Sequence, residues 1–551
     1  MKIKVVNWCS HKIQERVDKP EFVLERDSWN DFNYHTYYYL HTRLIDKNDN
    51  YTLIGGVRIL KKGQKPHESY LINEGIIENP LDDFCSLGGS LDYYERMSQL
   101  EDNSKEKILD FLNDIIKKPE IIPFFSEEQG FTSSLMRDIT FEDDLFHLAP
   151  IILTGKYDNL PSKWELDFSF ISKEMKERIV FDFSSKEYLI NGQKESLPNR
   201  ICVIIGRNGS GKSTLLSKIA RLVFSSAQDR IYIKEMGTIE PLGLGFPRII
   251  NLSYSAFDSF QVPGITFVEK KQICEDINNN KGRYIYCGVR DISKEVEEEL
   301  KILKSSENGR INLEDILNDK YEFNFLKSLS TIESEFLFAW NKILETYEKT
   351  KLLNEALELL SQEASLNFLS DIKIEEIRGG SEESFFKNLS TGHKFVIHSI
   401  FKLIYHIQKR SLILFDEPES HLHPPLLAVL MKVLRHILDE QSSFMIITTH
   451  SPVAIQETLQ KHVIVIRREG NSITTFHPEN QTFGESIGSL TSDIFGLSSD
   501  YKDYHEELDK IVDSYKGDIN NFENYISYLF DSNISSQAYA YMHSKFHNKT
   551  N

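Results

Sequence analysis

The chain has 551 residues, with 64 Lys+Arg against 83 Asp+Glu, for a formal net charge of −19 at pH 7. Hydrophobic residues at 40% and charged residues at 27% are ordinary globular values, which excludes a disordered or fibrous chain. At roughly 150 residues per domain the length suits two to four domains; the acidic balance excludes a surface that attracts nucleic acid everywhere but leaves room for a local basic groove.

Residues 1–160 read as a mixed α+β extension. Ile3–Trp8, His35–Ile45 and Tyr51–Ile59 alternate as strands, the last two joined by the polar turn Asp46–Asn50. Asp92 to Ile116 reads as one or two helices. Residues 161–290 begin an α/β core. Residues 165–205 alternate as antiparallel strands, with turn chemistry at Asn191-Gly192. Ile201–Ile205 is continuously apolar, as a buried parallel strand would be.

Residues 291–384 form an acidic insertion, with 22 acidic against 11 basic residues, a net −11. Ile332, Phe336, Ala339, Ile343, Tyr347, Leu353, Leu357 and Leu360 recur at helical spacing. They predict one amphipathic helix of about 30 residues, packed on its own domain or offered to a partner. Residues 385–490 resume the core, with short apolar strands at Leu412–Phe415, Phe444–Thr448 and Val463–Ile466. Residues 491–551 are a polar tail, predicted helical. The five cysteines (Cys9, Cys85, Cys202, Cys274, Cys287) lack CxxC pairs, so neither zinc spacing nor a disulfide framework is expected. No secretory h-region and no run of ~18–20 apolar residues is evident, which points to a cytoplasmic protein without membrane contact.

The strongest chemical signal is Gly206-Arg207-Asn208-Gly209-Ser210-Gly211-Lys212-Ser213-Thr214, a GxxxxGK[ST] sequence between an apolar strand and a helix. Its glycines let backbone N–H groups turn toward phosphate oxygens, and the helix N-terminus adds its dipole. Lys212 would reach the β/γ-phosphates and Ser213 would ligate Mg²⁺. The cofactors expected are therefore ATP and Mg²⁺. Next, the apolar run ending in Asp416-Glu417-Pro418-Glu419 supplies two carboxylates. Asp416 can hold the Mg²⁺ shell, and Glu417 can orient and deprotonate water.

Leu389-Ser390-Thr391-Gly392-His393 resembles the ABC-type signature LSGGQ, which opens a helix facing nucleotide held by another subunit. It lies 178 residues after Lys212 and 26 before Asp416 for Ser390, the ABC order. Thr448-Thr449-His450-Ser451-Pro452, with His450 33 residues beyond Glu417, resembles the switch histidine that touches the γ-phosphate. Ser420-His421-Leu422-His423-Pro424 occupies the D-loop position. Gln261 is the candidate for the glutamine that helps hold Mg²⁺, with Gln272 as runner-up. Residues 165–470 thus resemble an ABC ATPase of the SMC/RecF/OLD branch. The implied fold is α/β: an ABC-type P-loop ATPase head with an antiparallel β subdomain. Thr391 and His393 depart from the signature, and a Cβ at 391 restricts backbone approach; slow turnover is expected.

That resemblance implies at least a dimer, since each site takes its P-loop from one subunit and its signature from the other. The 128 residues between Gln261 and Leu389 are too few for SMC-type arms. The 101 residues after His450 carry no DxD motif of a Toprim nuclease. His543, His547 and Asn548 lack the β-hairpin of an HNH site, so no intrinsic nuclease is expected. Asp27-Ser-Trp-Asn-Asp-Phe, Phe84-Cys-Ser-Leu-Gly-Gly-Ser-Leu-Asp-Tyr-Tyr-Glu95, Tyr284-Ile-Tyr-Cys-Gly-Val-Arg290, Thr482-Phe-Gly-Glu-Ser-Ile-Gly488 and Asp493-Ile-Phe-Gly-Leu497 resemble the Septu antiphage ATPase family, PtuA. The resemblance implies an ATPase that controls a separate HNH nuclease, PtuB. For a retron-encoded member it implies a reverse transcriptase with its RNA–DNA product as well. The alternatives are a RecF-like DNA-repair clamp, with Lys270, Lys271, Lys281, Arg283 and Arg290 as its basic surface, and a scaffold that binds ATP but barely turns it over.

Overall fold

The computed structural model describes residues 1–7, 19–27, 33–46, 49–161, 166–184, 186–190, 193–256, 258, 260–304, 322–371, 381–495, 503–517 and 519–550. The expected turn at Asn191-Gly192, most of Asp27–Phe32, residues 47–48 of the Asp46–Asn50 turn, and Gly496-Leu497 lie outside them. The chain divides into two compact units, Met1–Gly484 and Glu485–Asn551.

The first unit opens with a six-stranded sheet: β1 (Ile3–Val6), β2 (Phe22–Arg26), β3 (Tyr37–Thr42), β4 (Thr52–Lys61), β5 (Gly75–Ile77) and β6 (Phe84–Gly88), in the order β5-β1-β2-β3-β4-β6. Only β1 and β2 pair in parallel; the other neighbours are antiparallel. Helices Leu91–Ser98 and Asp102–Leu112 fill the stretch read as one or two helices. A three-stranded antiparallel sheet joins β7 (Asp167–Ile171), β8 (Ile179–Asp182) and β12 (Thr238–Glu240). Strands β9 (Glu187–Ile190) and β10 (Gln193–Ser196) pair antiparallel beside it in sequence.

The main sheet has seven strands: β11 (Ile201–Gly206), β13 (Ile249–Ser253), β14 (Tyr284–Gly288), β15 (Leu412–Asp416), β16 (Phe444–Thr449), β17 (Val463–Glu469) and β18 (Ser472–Phe476). Their order is β14-β13-β15-β16-β11-β17-β18, parallel throughout except for the β17–β18 hairpin. The continuous apolar runs have a simple cause. Cys202, Ile204, Leu412, Leu414, Phe444 and Ile446 pack with Leu215, Leu216 and Ile219 of the helix Lys212–Phe224. The alternate residues of the same strands, Val203, Ile205, Ile413, Phe415, Met445 and Ile447, are equally buried. On that side Phe415 meets Phe395 of the helix Thr391–His406. Both faces are covered, so no polar residue alternates in.

The single long helix expected in the insertion is two helices, Leu329–Leu344 and Tyr347–Leu360. Thr346 leaves the helical region (φ −127°, ψ 119°), and Tyr347, expected on the apolar face, is exposed. Thr350 Oγ1 donates to the Ile343 carbonyl at 3.0 Å and so satisfies one of the acceptors that the break frees. The break lets each helix find its own partner. Trp340 stacks on Phe401 at 5.1 Å, and Glu355 bonds His436 of the helix Pro424–Glu440 at 3.0 Å. The packed-on-its-own-domain alternative is the one that the side chains satisfy.

The basic surface that the RecF-like alternative needs at residues 270–290 is not formed by three of its members. Lys270, Arg283 and Arg290 are buried. Lys270 bonds Glu299 and Gln261, Arg283 pairs with Asp92 at 3.0 Å, and Arg290 pairs with Asp258 and Glu295. A charge out of water needs a partner, and these have one.

The second unit holds the helices Ile487–Phe495, Asp503–Ser514, Ile519–Leu529 and Ser536–Thr550. Its core is Leu508, Val512, Phe522, Ile526, Met542 and Phe546. His543 lies 3.6 Å from Glu523, and no strand or metal-ligating cluster occurs in this unit among the described residues. No described helix is long and apolar enough to cross a membrane.

Candidate functional site

Parallel strands deliver their C-terminal ends to one edge of a sheet, where ligands bind in open α/β folds. In the main sheet that edge collects three of the predicted motifs. In register, Ser253 lies opposite Asp416, Asp416 opposite Thr448, Ile205 opposite Thr449, and Gly206 opposite Ile466.

The loop after β11 needs its glycines. A Cβ on Gly206 would come within 2.4 Å of the Ile466 carbonyl oxygen, so a side chain is excluded there. Gly209 and Gly211 have φ of 76° and 94°, the left-handed region that favours glycine. Lys212 is buried at the start of the following helix, and its Nζ donates to the Gly206 carbonyl at 3.2 Å. Burial pushes the Lys212 ammonium down from its ordinary value. The Ser210 hydroxyl is buried and has no hydrogen-bond partner. Arg207, Asn208 and Gly209 are exposed, and Ser213 and Thr214 are half-buried.

Ser213 Oγ donates to Asp416 Oδ1 at 3.0 Å, and the Thr448 hydroxyl donates to the same oxygen. Burial pushes the Asp416 carboxyl up to about 7. The hydrogen bonds from Thr448 and Ser213 pull it down, and the like charges of Asp258 and Glu417 push it up. A divalent cation on Ser213 and Asp416 would offset the like charges of Asp258 and Glu417 around this buried carboxylate. The unpartnered Ser210 hydroxyl and the glycine cradle fit a phosphate chain in the same way.

Glu417 is left-handed (φ 46°, ψ 60°), a backbone uncommon for a side chain of this size. Its N–H donates to the Thr448 carbonyl at 2.9 Å. Its carboxylate lies 3.2 Å from His450 Nε2, and that hydrogen bond holds its carboxyl below the ordinary value. His450 Nε2 also lies 2.7 Å from Lys212 Nζ. The His450 backbone N–H donates to Glu419. Lys212, Ser213, Asp416, Glu417 and His450 therefore form one connected group drawn from three strand ends.

Ser390 and Gly392 do not join it. Ser390 caps the helix Thr391–His406, its Oγ accepting from the His393 N–H at 3.3 Å. Ser390 and Thr391 are exposed. A Cβ on Gly392 would meet the His421 carbonyl at 3.0 Å, so the D-loop packs tightly behind the signature. His393 bonds Ser365 at 2.9 Å, a contact with the insertion.

Gln261 bonds charged groups of two helices, Lys270 and Glu299. Its amide oxygen accepts from Lys270 at 2.7 Å, and its nitrogen donates to Glu299 at 3.1 Å. Gln272 is turned elsewhere, accepting from the Leu53 N–H at 3.2 Å and donating to Asp276 at 3.1 Å. The residue that sequence reasoning passed over is Asp258, three positions before Gln261. It is buried, and Ser253 Oγ donates to it at 2.8 Å on the strand next to Asp416. Only its place in the loop after an apolar strand could have drawn attention to it. Arg468 is a second addition, its Nη2 3.1 Å from where a Gly211 Cβ would stand.

Residues 201–456 match a protein-family profile described as "AAA domain, putative AbiEii toxin, Type IV TA system". Protein ea59 of Escherichia phage lambda is 29% identical over 527 residues, 90% of each chain. Septu protein PtuA of Bacillus thuringiensis is 26% identical over 315 residues, 50% of this chain and 72% of that one. Among solved structures, the SMC head domain from Thermotoga maritima is 14% identical and covers 58% of this chain and 100% of that one, with a TM-score of 0.26. A nucleotide-free ATP-binding cassette from an ABC transporter is 17% identical, covering 60% and 96%, with a TM-score of 0.24. The profile spans β11 through β16, the segment that holds Lys212, Asp416 and His450. With the strand order and the connected group above, it makes this core that of a P-loop ATPase.

Proposed function

We propose that the chain is the ATP-hydrolysing switch of an antiphage defence system, closing on a second copy around ATP and controlling a separate nuclease subunit. The observation that carries the ATPase part is the convergence of Lys212, Ser213, Asp416, Glu417 and His450 at one sheet edge. Support for the defence part comes from the PtuA relative, 26% identical over 315 residues, and from the resemblance of the sequence stretches named above to its family.

The residues divide the work. The backbone N–H groups of the 206–214 loop cradle the phosphates, and Lys212 adds positive charge at their terminal end. Mg²⁺ on Ser213 and Asp416 would neutralise charge on the phosphate oxygens. Glu417, kept ionised by His450, accepts the proton of the attacking water. His450 Nε2 lies within reach of both Glu417 and Lys212 and bonds one of them at a time, so it can report whether a terminal phosphate stands between them. The exposed N-terminus of the signature helix supports completion of the site by a second subunit, because Ser390 and Gly392 lie outside the connected group of their own chain. Thr391 in place of glycine favours slow turnover.

A RecF-like reading loses its support, since three of its five basic residues are buried in ion pairs. Two assays test the proposal. Purified chain should release phosphate from ATP, and Glu417→Gln should not. Cells expressing the chain with its neighbouring genes should resist phage, and the Glu417→Gln version should not. Equal phosphate release by both proteins contradicts the catalytic assignment. Undiminished growth of a broad phage panel on the complete system contradicts the defence assignment.

A further inference from the structure

The loop after β13 and the helix Ile292–Lys304 are joined by buried charges that the mechanism above does not use. Arg290 is 1% exposed. Its Nη1 lies 3.3 Å from Asp258 Oδ2, its Nε donates to Glu295 Oε1 at 3.2 Å, and its Nη2 donates to the Phe260 carbonyl at 3.0 Å. Glu295 is fully buried and also accepts from the Phe325 N–H at 3.1 Å. Asp258 is fixed from the other side. Its two oxygens accept from Ser253 Oγ at 2.8 Å and from the Phe260 N–H at 3.0 Å. Asn324 Nδ2 donates to its backbone carbonyl at 3.0 Å. One turn beyond Glu295, Glu299 bonds Lys270 and Gln261. So one face of this helix, at positions four apart, holds both Asp258 and Gln261.

Such a cluster is costly if it does nothing but hold the fold, since apolar residues fill buried volume as well. Its position gives it a use. Ser253, which holds Asp258, is the register neighbour of Asp416. A carboxylate fixed there, with its charge only partly offset by an arginine that it shares with Glu295, adds negative potential where a divalent cation would bind.

We propose that Asp258 is a positioning residue of the metal site, held beside Asp416 by Ser253 and Arg290, and that Glu295 makes its placement depend on the helix Ile292–Lys304. The first helix of the acidic insertion is thereby wired to the reacting end of the nucleotide. This rests on Ser213 and Asp416 as the cation ligands, and the test separates the two ideas.

The probe is Mn²⁺, titrated by electron paramagnetic resonance into full-length Glu417→Gln protein loaded with ATP. Asp258→Asn should raise the Mn²⁺ dissociation constant by at least about tenfold, a lower bound for removing one charge several ångströms from a divalent ion at an effective dielectric of about 20. ATP binding without divalent ions should not change. Glu295→Gln should shift Mn²⁺ binding in the same direction. Asp416→Asn should abolish it. If Asp258→Asn fails to fold, Ser253→Ala replaces it; loss of that one hydrogen bond should raise the constant roughly threefold. Unchanged Mn²⁺ binding in folded Asp258→Asn, or in Ser253→Ala, overturns the inference while Asp416→Asn still abolishes binding. Unchanged binding in Glu295→Gln overturns the link to the insertion. Unchanged binding in Asp416→Asn overturns the metal-site reading itself.

Discussion

The two large sheets of the first unit use polarity in opposite ways. In the seven-stranded sheet the strands are apolar along most of their length, and the chemistry is confined to their C-terminal ends. In the six-stranded sheet polar groups lie inside. Glu25 and His41 pair at 3.1 Å, Thr36 bonds Ser134 at 2.6 Å, and buried Arg58 donates to the Leu135 carbonyl at 3.1 Å. Further charges from this region reach the core, where Asp92 pairs with Arg283 and Arg96 bonds Asp276 at 3.0 Å. On the proposed function, one sheet uses its polar residues in a reaction and the other uses them for attachment. Buried charge is therefore a poor guide to the active site in this protein unless its place on the sheet is known.

The sharpest way to break that division is to remove one group of each kind. Glu417→Gln should cut phosphate release by about 10²–10⁴-fold, the usual worth of a positioned general base. It should leave the denaturant midpoint within error. Arg283→Met should do the reverse. It strands the buried Asp92 carboxylate and should cost about 3–5 kcal/mol in denaturant unfolding, with phosphate release per folded molecule retained. A large loss of turnover in the folded Arg283→Met protein would mean that the attachment charges also serve the reaction.

The main sheet was legible because a doubly covered strand must be apolar, and β11, β15 and β16 are so up to their C-terminal ends, as is the Val463–Ile466 part of β17. The P-loop, Asp416-Glu417 and His450 followed from their order. What escaped was polar by necessity. Strand β2 reads Phe-Val-Leu-Glu-Arg, and its Glu25 is buried against a histidine that only the fold supplies. Lys270, Arg283 and Arg290 looked solvated because their carboxylate partners are distant in sequence or belong to a helix whose facing side was unknown. The insertion helix was read as one because Ile343 and Tyr347 keep helical spacing; the break at Thr346 comes from packing, which spacing does not encode. Gln261 was chosen by resemblance, and the side chain fixed next to Asp416 is Asp258.

A smaller effect separates a buried histidine from a catalytic one. His462, immediately before β17, is fully buried. Burial pushes its imidazole down to about 4. The unfolded chain then binds the proton more readily between about 6.5 and about 4. This contribution to stability is intact above pH 6.5 and is lost as pH falls through that window, by at most about 3 kcal/mol. His462→Leu should flatten the pH dependence there, as read from melting temperatures at pH 7 and pH 5. Smaller still, Ser390→Ala removes the cap of the signature helix and should cost about 1 kcal/mol of stability. If the helix N-terminus serves a second subunit, the same change should lower turnover by more than that loss of stability explains.

The central claim is that each site joins the P-loop edge of one chain to the signature helix of another. Mixing two inactive variants tests it most directly. Lys212→Ala removes the phosphate contact, and Ser390→Arg blocks the signature. Each alone should release no phosphate above background. Mixed in equal amounts with ATP and Mg²⁺, they should recover roughly a quarter of wild-type activity, since half the dimers are mixed and each has one intact site. No recovery from two folded variants, with Ser390→Arg still binding ATP, or full activity of Ser390→Arg alone, would contradict the account.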